Sequence, residues 1–438
     1  MKNGVIASLV ALIATLGWAN TVRADEVTDW NETMLRSALI AGTSPVNMSR
    51  VTALVQSSVF DAVNGIDRRY SPIHVTPAAT AGASRRAAAV QAAYVMLVKL
   101  YGTGGLFTTT QQALLDARRN VSLMVISADE SSTSIASGIA WGQFVANEIW
   151  TWRLTDGFSL APPSYAGSTA IGQWRPTPNA PSPGTSALGN GYPQFFSMTP
   201  WVMTSASQFL PGPPPAISSP RYLADYNEVK TMGSLTSTTR TADQTIYSLF
   251  WQSATSSYLW NRIALSIIEA RNLDRADQSP GNDNLLLLEN ARILAEAGVA
   301  MADAAIGCYN AKYTYGFWRP ITAIREDDGN PATVQDPTWT PLFTTPAHPD
   351  YPSNHSCISA AAGVILANEF GNNVPFTVDS DGMLGVTRSF RRVSDAVDEV
   401  KNARVYAGIH FRTATDVGQA LGESVGRYVI EHAFLPVD

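Results

Sequence analysis

The sequence has little charge and lacks long apolar runs beyond its N-terminus. Only 15% of its 438 residues are Asp, Glu, Lys or Arg, and the formal net charge at pH 7 is -6. A weakly acidic chain is a poor partner for nucleic acid or for an anionic membrane, so we expect neither. After residue 18 no stretch of eighteen uninterrupted apolar residues occurs, so we expect no membrane span in the mature chain.

Cysteine is also scarce, because Cys308 and Cys357 are the only two in the chain. An exported protein could join them in a disulfide, since oxidising compartments favour such bonds. Two buried free thiols are the other interpretation. The sequence leaves both open, because pairing depends on the separation of the two Cα atoms.

The N-terminus has the pattern of a secretory signal peptide. Lys2 precedes an apolar run from Val5 to Trp18, and small residues around Ala24 suit cleavage before Asp25. The run is shorter than the roughly 20 residues that a helix needs to span a bilayer. We therefore expect residues 1–24 to be removed and the protein to be secreted or periplasmic. A membrane anchor or a buried first helix is the alternative.

The chain shows no internal repeat and no parallel βαβ alternation, and almost every periodic segment has helical spacing. We predict an all-α fold with an N-terminal helical region at 25–155 and a C-terminal helical region at 220–438. A short β-hairpin or a loop is expected at 376–390.

Residues 156–219 form a long aperiodic stretch between the two helical regions, rich in Pro, Ser, Gly and Asn. Its aromatic residues, among them Trp174 and Trp201, argue against a flexible linker. We expect an ordered loop that wraps the body and borders the entrance to an active site.

Three clusters in the C-terminal third carry the chemistry. They run from Lys312 to Arg319-Pro320, from His348 to Ser353-Asn354-His355, and from Arg404 to His410. Guanidinium groups bind tetrahedral oxyanions through two hydrogen bonds, and an ammonium, a hydroxyl and helix N-terminal N–H groups fill the remaining oxygen lone pairs. Imidazoles change protonation near neutral pH and can bind a metal. The clusters together predict an oxyanion site with acid–base or ligand chemistry.

In order and spacing these clusters resemble the three-part signature of the vanadium-dependent haloperoxidases and the related type 2 phosphatidic acid phosphatases. The matching residues are Lys312, Arg319, Pro320, Pro352, Ser353, His355, Arg404 and His410. Three positions depart from the family pattern: Asn354 replaces Gly, Ala403 replaces a Ser, and Ala414 replaces an Asp often found four residues after the last His. Asp416, two residues further on, is the sequence candidate for orienting His410.

The resemblance implies two four-helix bundles, a bound vanadate for which phosphate competes, and oxidation of halide by hydrogen peroxide to hypohalous acid. The implied vanadate-binding groups are Lys312, Arg319, Ser353, the backbone N–H of Asn354, and Arg404, with His410 as the axial metal ligand and His355 as the acid–base residue. His348 stands where chloroperoxidase-type members tend to have Phe and bromoperoxidase-type members have His. The resemblance therefore favours bromide or iodide.

Two alternatives use the same residues. A soluble, exported acid phosphatase would form a phosphohistidine at His410 and use His355 to protonate the leaving group, because phosphate and vanadate have nearly the same shape. A non-catalytic oxyanion-binding protein would need neither imidazole. Phe317 and Trp318 either line the pocket or belong to the core. A small organic substrate and a homo-oligomer stay open.

Overall fold

The computed structural model describes residues 25–107, 109–160, 165–178, 192–278 and 283–437, so the predicted signal peptide at 1–24 lies outside the described residues. Within these ranges the chain is largely helical. The helices are α1 (Glu26–Ile40), α2 (Pro45–Asp67), α3 (Arg85–Tyr101), α4 (Gln112–Ile126), α5 (Ser132–Arg153), α6 (Pro220–Met232), α7 (Ala242–Ser253), α8 (Ser256–Gln278), α9 (Asp283–Tyr315), α10 (Pro320–Arg325), α11 (Asn354–Phe370), α12 (Val393–Tyr406) and α13 (Arg412–His432), with one 3-10 turn at Pro193–Phe196. The predicted all-α class is confirmed.

The expected hairpin is present as two short antiparallel strands. Strand β1 (Phe376–Asp379) pairs with β2 (Thr387–Phe390), and Phe376 lies opposite Phe390. The hairpin packs against α8 at the edge of the body, away from the predicted clusters. In the described part of the chain, no helix combines the length and the hydropathy that a membrane span requires.

Helix α9 is the central element of the body. It packs against α2 on the N-terminal side and against α11 and α13 on the C-terminal side. Helices α2, α3 and α5 form one bundle, and a continuous hydrophobic cluster links both sides through α9. Because α9 ends at Tyr315, Lys312 lies in its last turn, where the helix reaches the site.

Two glycines allow α11 and α13 to pack closely. A Cβ on Gly422 would collide with the carbonyl oxygen of Cys357, and a Cβ on Gly418 would lie 2.7 Å from Ser353 O. Only glycine fits where two helix backbones approach so closely. The first turn of α11, which holds Ser353, is thereby pressed against α13 and fixed in place.

The described parts of the long aperiodic stretch are ordered against the body. Trp174 N donates to Gly316 O at 2.6 Å, and Trp318 N donates to Gly172 O at 3.1 Å, immediately before the Arg319 position. Three consecutive backbone N–H groups at residues 201–203 donate to the buried carboxylate of Asp303. Residues 161–164 and 179–191 of this predicted loop lie outside the described residues.

Single residues set several helix ends. Helix α2 begins at Pro45, because proline favours the first helical position. Helix α8 begins at Ser256, where Thr255 Oγ1 accepts from Tyr258 N at 3.3 Å and caps the helix.

Candidate oxyanion site

Four segments place the predicted residues around one buried site. Lys312 lies in the last turn of α9, Arg319 precedes α10, residues 353–355 begin α11, and Arg404 and His410 flank the end of α12. Lys312, Arg319, Ser353 and Arg404 are fully buried, and His410 is 2% exposed. Each of the cations acts electrostatically on its neighbours in the set, so the side chains form one cluster.

Arg319 joins the three sequence clusters. Its Nε donates to His348 O at 2.8 Å, and its Nη1 donates to Ile409 O at 2.7 Å. Nη1 also lies 3.1 Å from His410 Nε2, and Nη2 lies 3.1 Å from His348 Nδ1. Nη1 is also 3.5 Å from His410 Nδ1. A guanidinium can only donate hydrogen bonds, so the nearer ring nitrogens, His348 Nδ1 and His410 Nε2, are the ones placed to accept through a lone pair.

Lys312 is held by the loop that precedes α11. Its Nζ donates to Pro349 O at 2.8 Å and to Asp350 O at 2.9 Å. An ammonium has three N–H groups, so one N–H is left for a ligand. Two loop carbonyls therefore fix the position of the ammonium group and the direction of its remaining N–H.

The first turn of α11 offers further donors. Ser353 occupies the N-cap position and its backbone N donates to Ala414 O at 2.8 Å, yet its hydroxyl makes no capping bond. Within the described residues, the buried Ser353 hydroxyl has no hydrogen-bond partner and is free to donate; Asn354 Oδ1, also without a partner, is an acceptor. The first N–H groups of a helix also lack partners inside the helix, and they form the positive end of its dipole. A negatively charged ligand suits this position.

Arg404 is the least satisfied of the cations. Its Nη2 donates to Gln252 Oε1 at 2.6 Å, while Nε and Nη1 find no acceptor among the residues that the structure describes. Buried guanidinium N–H groups without acceptors are costly. The three N–H bonds on Nε and Nη1 are therefore available to bind an anion.

A tight turn after α12 brings His410 back to the site. The helix ends at Tyr406, and Gly408 has φ +79°, a left-handed conformation that favours glycine. A Cβ on Gly408 would also collide with Gly233 O. The turn explains the spacing of six residues between Arg404 and His410, which on a continuous helix would not share a face.

Asp350, and not Asp416, is the carboxylate beside His410. Asp350 Oδ1 lies 2.8 Å from His410 Nδ1 and 3.8 Å from Arg319 Nη1, although the imidazole is tilted away from ideal alignment for a hydrogen bond. The sequence candidate Asp416 instead forms ion pairs with Arg221 and Lys401, at 2.8 Å and 3.3 Å. Asp350 was not predicted, because the sequence does not show which carboxylate packs against His410.

The other two histidines are held neutral. Burial, followed by the charges of Lys312 and Arg319, lowers the pKa of His348 well below its ordinary value. Its Nδ1 also lies 3.2 Å from Pro349 O, but the charge-assisted contact with Arg319 Nη2 at 3.1 Å is the stronger of the two and requires Nδ1 to accept. The remaining proton is therefore on His348 Nε2. Burial and the charges of Arg404, Lys312 and Arg319 lower the pKa of His355 in the same direction.

The site has an excess of positive charge. Burial lowers the pKa of Lys312 to about 8, of Arg404 to about 9 and of Arg319 to about 10, and it raises the pKa of the Asp350 carboxyl to about 7. Three buried cations thus face a single buried carboxylate. A tetrahedral oxyanion would supply both the missing negative charge and acceptors for the unpaired N–H and O–H groups. The residues therefore fit vanadate or phosphate.

Two cysteines and two aromatic side chains lie close to the site in the sequence. Cys308 and Cys357 are buried free thiols, and Cys308 Sγ lies 3.6 Å from Pro352 O. Phe317 and Trp318 belong to a hydrophobic cluster with Tyr222 and are core residues. Among the described residues, no group of three or more His, Cys, Asp and Glu side chains is arranged to hold a metal ion.

Comparison with known proteins agrees with this description. The family model of the VCPO second helical-bundle domain matches residues 292–438, the part that carries all three clusters. Vanadium chloroperoxidase of Curvularia inaequalis is 26% identical over 247 residues, which cover 48% of this chain and 39% of that protein. The match thus spans well under half the length of that relative.

Solved structures extend the likeness to nearly the whole chain. The structure described as the first bacterial vanadium-dependent iodoperoxidase has a TM-score of 0.74 at 25% identity, covering 94% of this chain and 97% of that one. A holo-type bacterial vanadium-dependent chloroperoxidase has a TM-score of 0.69 at 14% identity, covering 92% and 95%. The second likeness is one of fold alone.

The fold is helical, and three buried cations, a helix N-terminus and a histidine lie together within it. The family model and the relatives point the same way: residues 292–438 match the VCPO second helical-bundle domain, and the chain is similar to vanadium-dependent haloperoxidases.

Proposed function

We propose that the protein is a vanadium-dependent haloperoxidase that oxidises a halide with hydrogen peroxide to hypohalous acid. The observation that carries this proposal is the unpaired set of buried donors on Arg404 and Ser353 beside the lone pair on His410 Nε2. A donor set fits the oxygens of an oxyanion, and an imidazole lone pair fits its metal atom. Both kinds of group are needed for a bound vanadate.

The residues that would hold vanadate are Lys312, Arg319, Ser353, the backbone N–H of Asn354, and Arg404, with His410 Nε2 as the metal ligand. When bound, vanadate supplies a Lewis acid that activates peroxide without a change in the oxidation state of the metal. The three cations draw electron density from the bound oxygens, and their burial strengthens this effect because water is excluded.

His355 is the proposed acid–base residue. Its lowered pKa keeps the imidazole neutral, so a ring nitrogen can accept a proton from incoming hydrogen peroxide. Halide then gives two electrons to a peroxide oxygen, the O–O bond breaks, and the other oxygen leaves as water after taking up a proton. One halide, one hydrogen peroxide and one proton give one hypohalous acid and one water.

We further propose that bromide or iodide is preferred over chloride. His348 supports this preference, because Arg319 orients its ring and leaves an Nε2–H that can donate to a weakly hydrated anion. The similar proteins include both an iodoperoxidase and chloroperoxidases, so they alone do not fix the halide.

Bromination of a β-diketone dye tests the proposed function. Purified mature protein is assayed with hydrogen peroxide and bromide in phosphate-free buffer, before and after addition of orthovanadate. We expect activity to appear with vanadate and to be suppressed by added phosphate. Tight vanadate binding without turnover of bromide or iodide would refute the proposal and favour an acid phosphatase that vanadate inhibits. Hydrolysis of an aryl phosphate by the same preparation would then identify that activity.

A further inference from the structure

We propose that Asp350 is the positioning residue that fixes the tautomer and the ring orientation of His410. It takes the place of the carboxylate that the chain lacks at Ala414. The role of His410 as a ligand rests on the proposed function, whereas the contact between the two side chains does not.

The backbone of Asp350 is fixed on both sides. Its N–H donates to Phe317 O at 2.9 Å, and its carbonyl accepts from Lys312 Nζ at 2.9 Å. The side chain is fully buried, and Oδ1 lies 2.8 Å from His410 Nδ1. A carboxylate that is held by its own backbone in a dry site can orient a ring, because it has no solvent-facing conformation to adopt.

Two neighbours of opposite character impose one tautomer on His410. Arg319 Nη1 can only donate a hydrogen bond, and it lies closer to Nε2, at 3.1 Å, than to Nδ1, at 3.5 Å. A carboxylate oxygen of Asp350 lies 2.8 Å from Nδ1, on the tilted ring, and offers an acceptor there. The favoured imidazole therefore carries its proton on Nδ1 and its lone pair on Nε2. The reverse tautomer would direct an N–H at a guanidinium and a lone pair at a carboxylate. Asp350 thus keeps the ligand nitrogen free of a proton.

A purely structural role would make Asp350 the counter-ion of Arg319. The distances argue for His410, since Asp350 Oδ1 is 3.8 Å from Arg319 Nη1 but 2.8 Å from the imidazole. The other charges that act on Asp350 are Lys312 and Asp225. Ala414, where the family often has an acid, accepts from Ser353 N through its carbonyl and presents only a methyl group.

Nitrogen-15 NMR of histidine-labelled protein tests the tautomer without vanadate or turnover. The chain has five histidines, and a His410→Ala variant assigns the signal. We expect the wild-type signal to show an Nδ1–H, Nε2-lone-pair imidazole, and we expect Asp350→Ala to shift it toward the other tautomer or an exchanging mixture. Asp350→Asn keeps one acceptor oxygen and should retain most of the wild-type pattern. An unchanged His410 signal in Asp350→Ala would overturn the proposal.

Vanadate titration calorimetry gives the second readout. Loss of a group that orients a metal ligand weakens metal binding by roughly 10- to 100-fold, so we expect that loss for Asp350→Ala and a smaller one for Asp350→Asn. Asp416→Ala is the matched control, because its ion pairs lie elsewhere, and it should bind as the wild type does. Equal affinity in wild type and Asp350→Ala would contradict the proposal. Absence of vanadate binding in the wild type would instead refute the proposed function, while the tautomer result would stand on its own.

Discussion

Replacing Arg404 with Met should make the anion-free protein more stable while it destroys oxyanion binding. Arg404 is fully buried, and its Nε and Nη1 have no acceptor in the described chain. Burial, and then the charge of Arg319, lowers its pKa to about 9. A basic group with a lowered folded pKa destabilises the folded state by the full amount below that pKa, and the cost falls as the pH rises from the folded to the unfolded pKa.

The size of the effect follows from that pKa. Relative to the ordinary value for arginine, the lowering corresponds to a cost of about 5 kcal/mol for keeping the charge at neutral pH. Leaving Gln252 Oε1 without its donor costs about 1–3 kcal/mol in the variant. Methionine has a similar length and fills the space, so we expect a net gain in unfolding free energy of roughly 2 kcal/mol.

Thermal unfolding of phosphate-free protein, with and without orthovanadate, is the assay. The wild type should melt at a higher temperature with vanadate, whereas Arg404→Met should melt higher without it and show little further rise. Arg412→Met is the matched control with the opposite sign, because Arg412 is paired with Glu228 at 2.6 Å and 3.1 Å. Its melting temperature should fall. A lower melting temperature for anion-free Arg404→Met, with vanadate stabilisation retained, would refute the reasoning.

Three further predictions follow from individual residues. Burial lowers the pKa of Lys312 to about 8, while the unfolded residue keeps its proton to higher pH. In urea unfolding without oxyanion, the stability of the wild type relative to Lys312→Met should therefore rise by up to about 2 kcal/mol between pH 7 and about 9.5. No rise would count against a buried, charged Lys312. His348→Phe should lower the ratio of kcat/KM for bromide to that for chloride by roughly tenfold in steady-state assays, and an unchanged ratio would remove His348 from halide selection. Asp303→Ala should lower the unfolding free energy measured in urea by about 3 kcal/mol, because three backbone N–H groups at 201–203 lose their acceptor. Vanadate affinity should stay unchanged, and a change in affinity would show that the loop reaches the site.

The helical fold was predictable because helix formation leaves a strong periodic signal in the sequence. The ends of the helices were less predictable, because capping depends on single residues. The capping role of Thr255, for example, is shown only by the hydrogen bond that Tyr258 N donates to it. Composition predicted that residues 165–178 and 192–219 are ordered, but it did not predict which parts of the body they contact. The backbone pairing of Trp174 with Gly316 depends on contacts between distant parts of the chain.

In the site, too, some residues were predictable from the sequence and others were not. Spacing in the sequence brought Lys312, Arg319, Arg404 and His410 into one hypothesis, and the structure places them in one buried cluster. Asp350 was not predicted, because a carboxylate in a proline-rich loop gives no sequence signal for a contact sixty residues downstream. Which carboxylate meets a histidine is a property of tertiary packing.

A crystal structure of the mature protein soaked with orthovanadate in phosphate-free solution tests the central claim most directly. We expect one vanadate in the buried site, with its metal atom bonded to His410 Nε2 and its oxygens within hydrogen-bonding distance of Lys312 Nζ, Ser353 Oγ and the free N–H groups of Arg404. Vanadate bound elsewhere, or held in the site with His410 turned away from the metal, would contradict it.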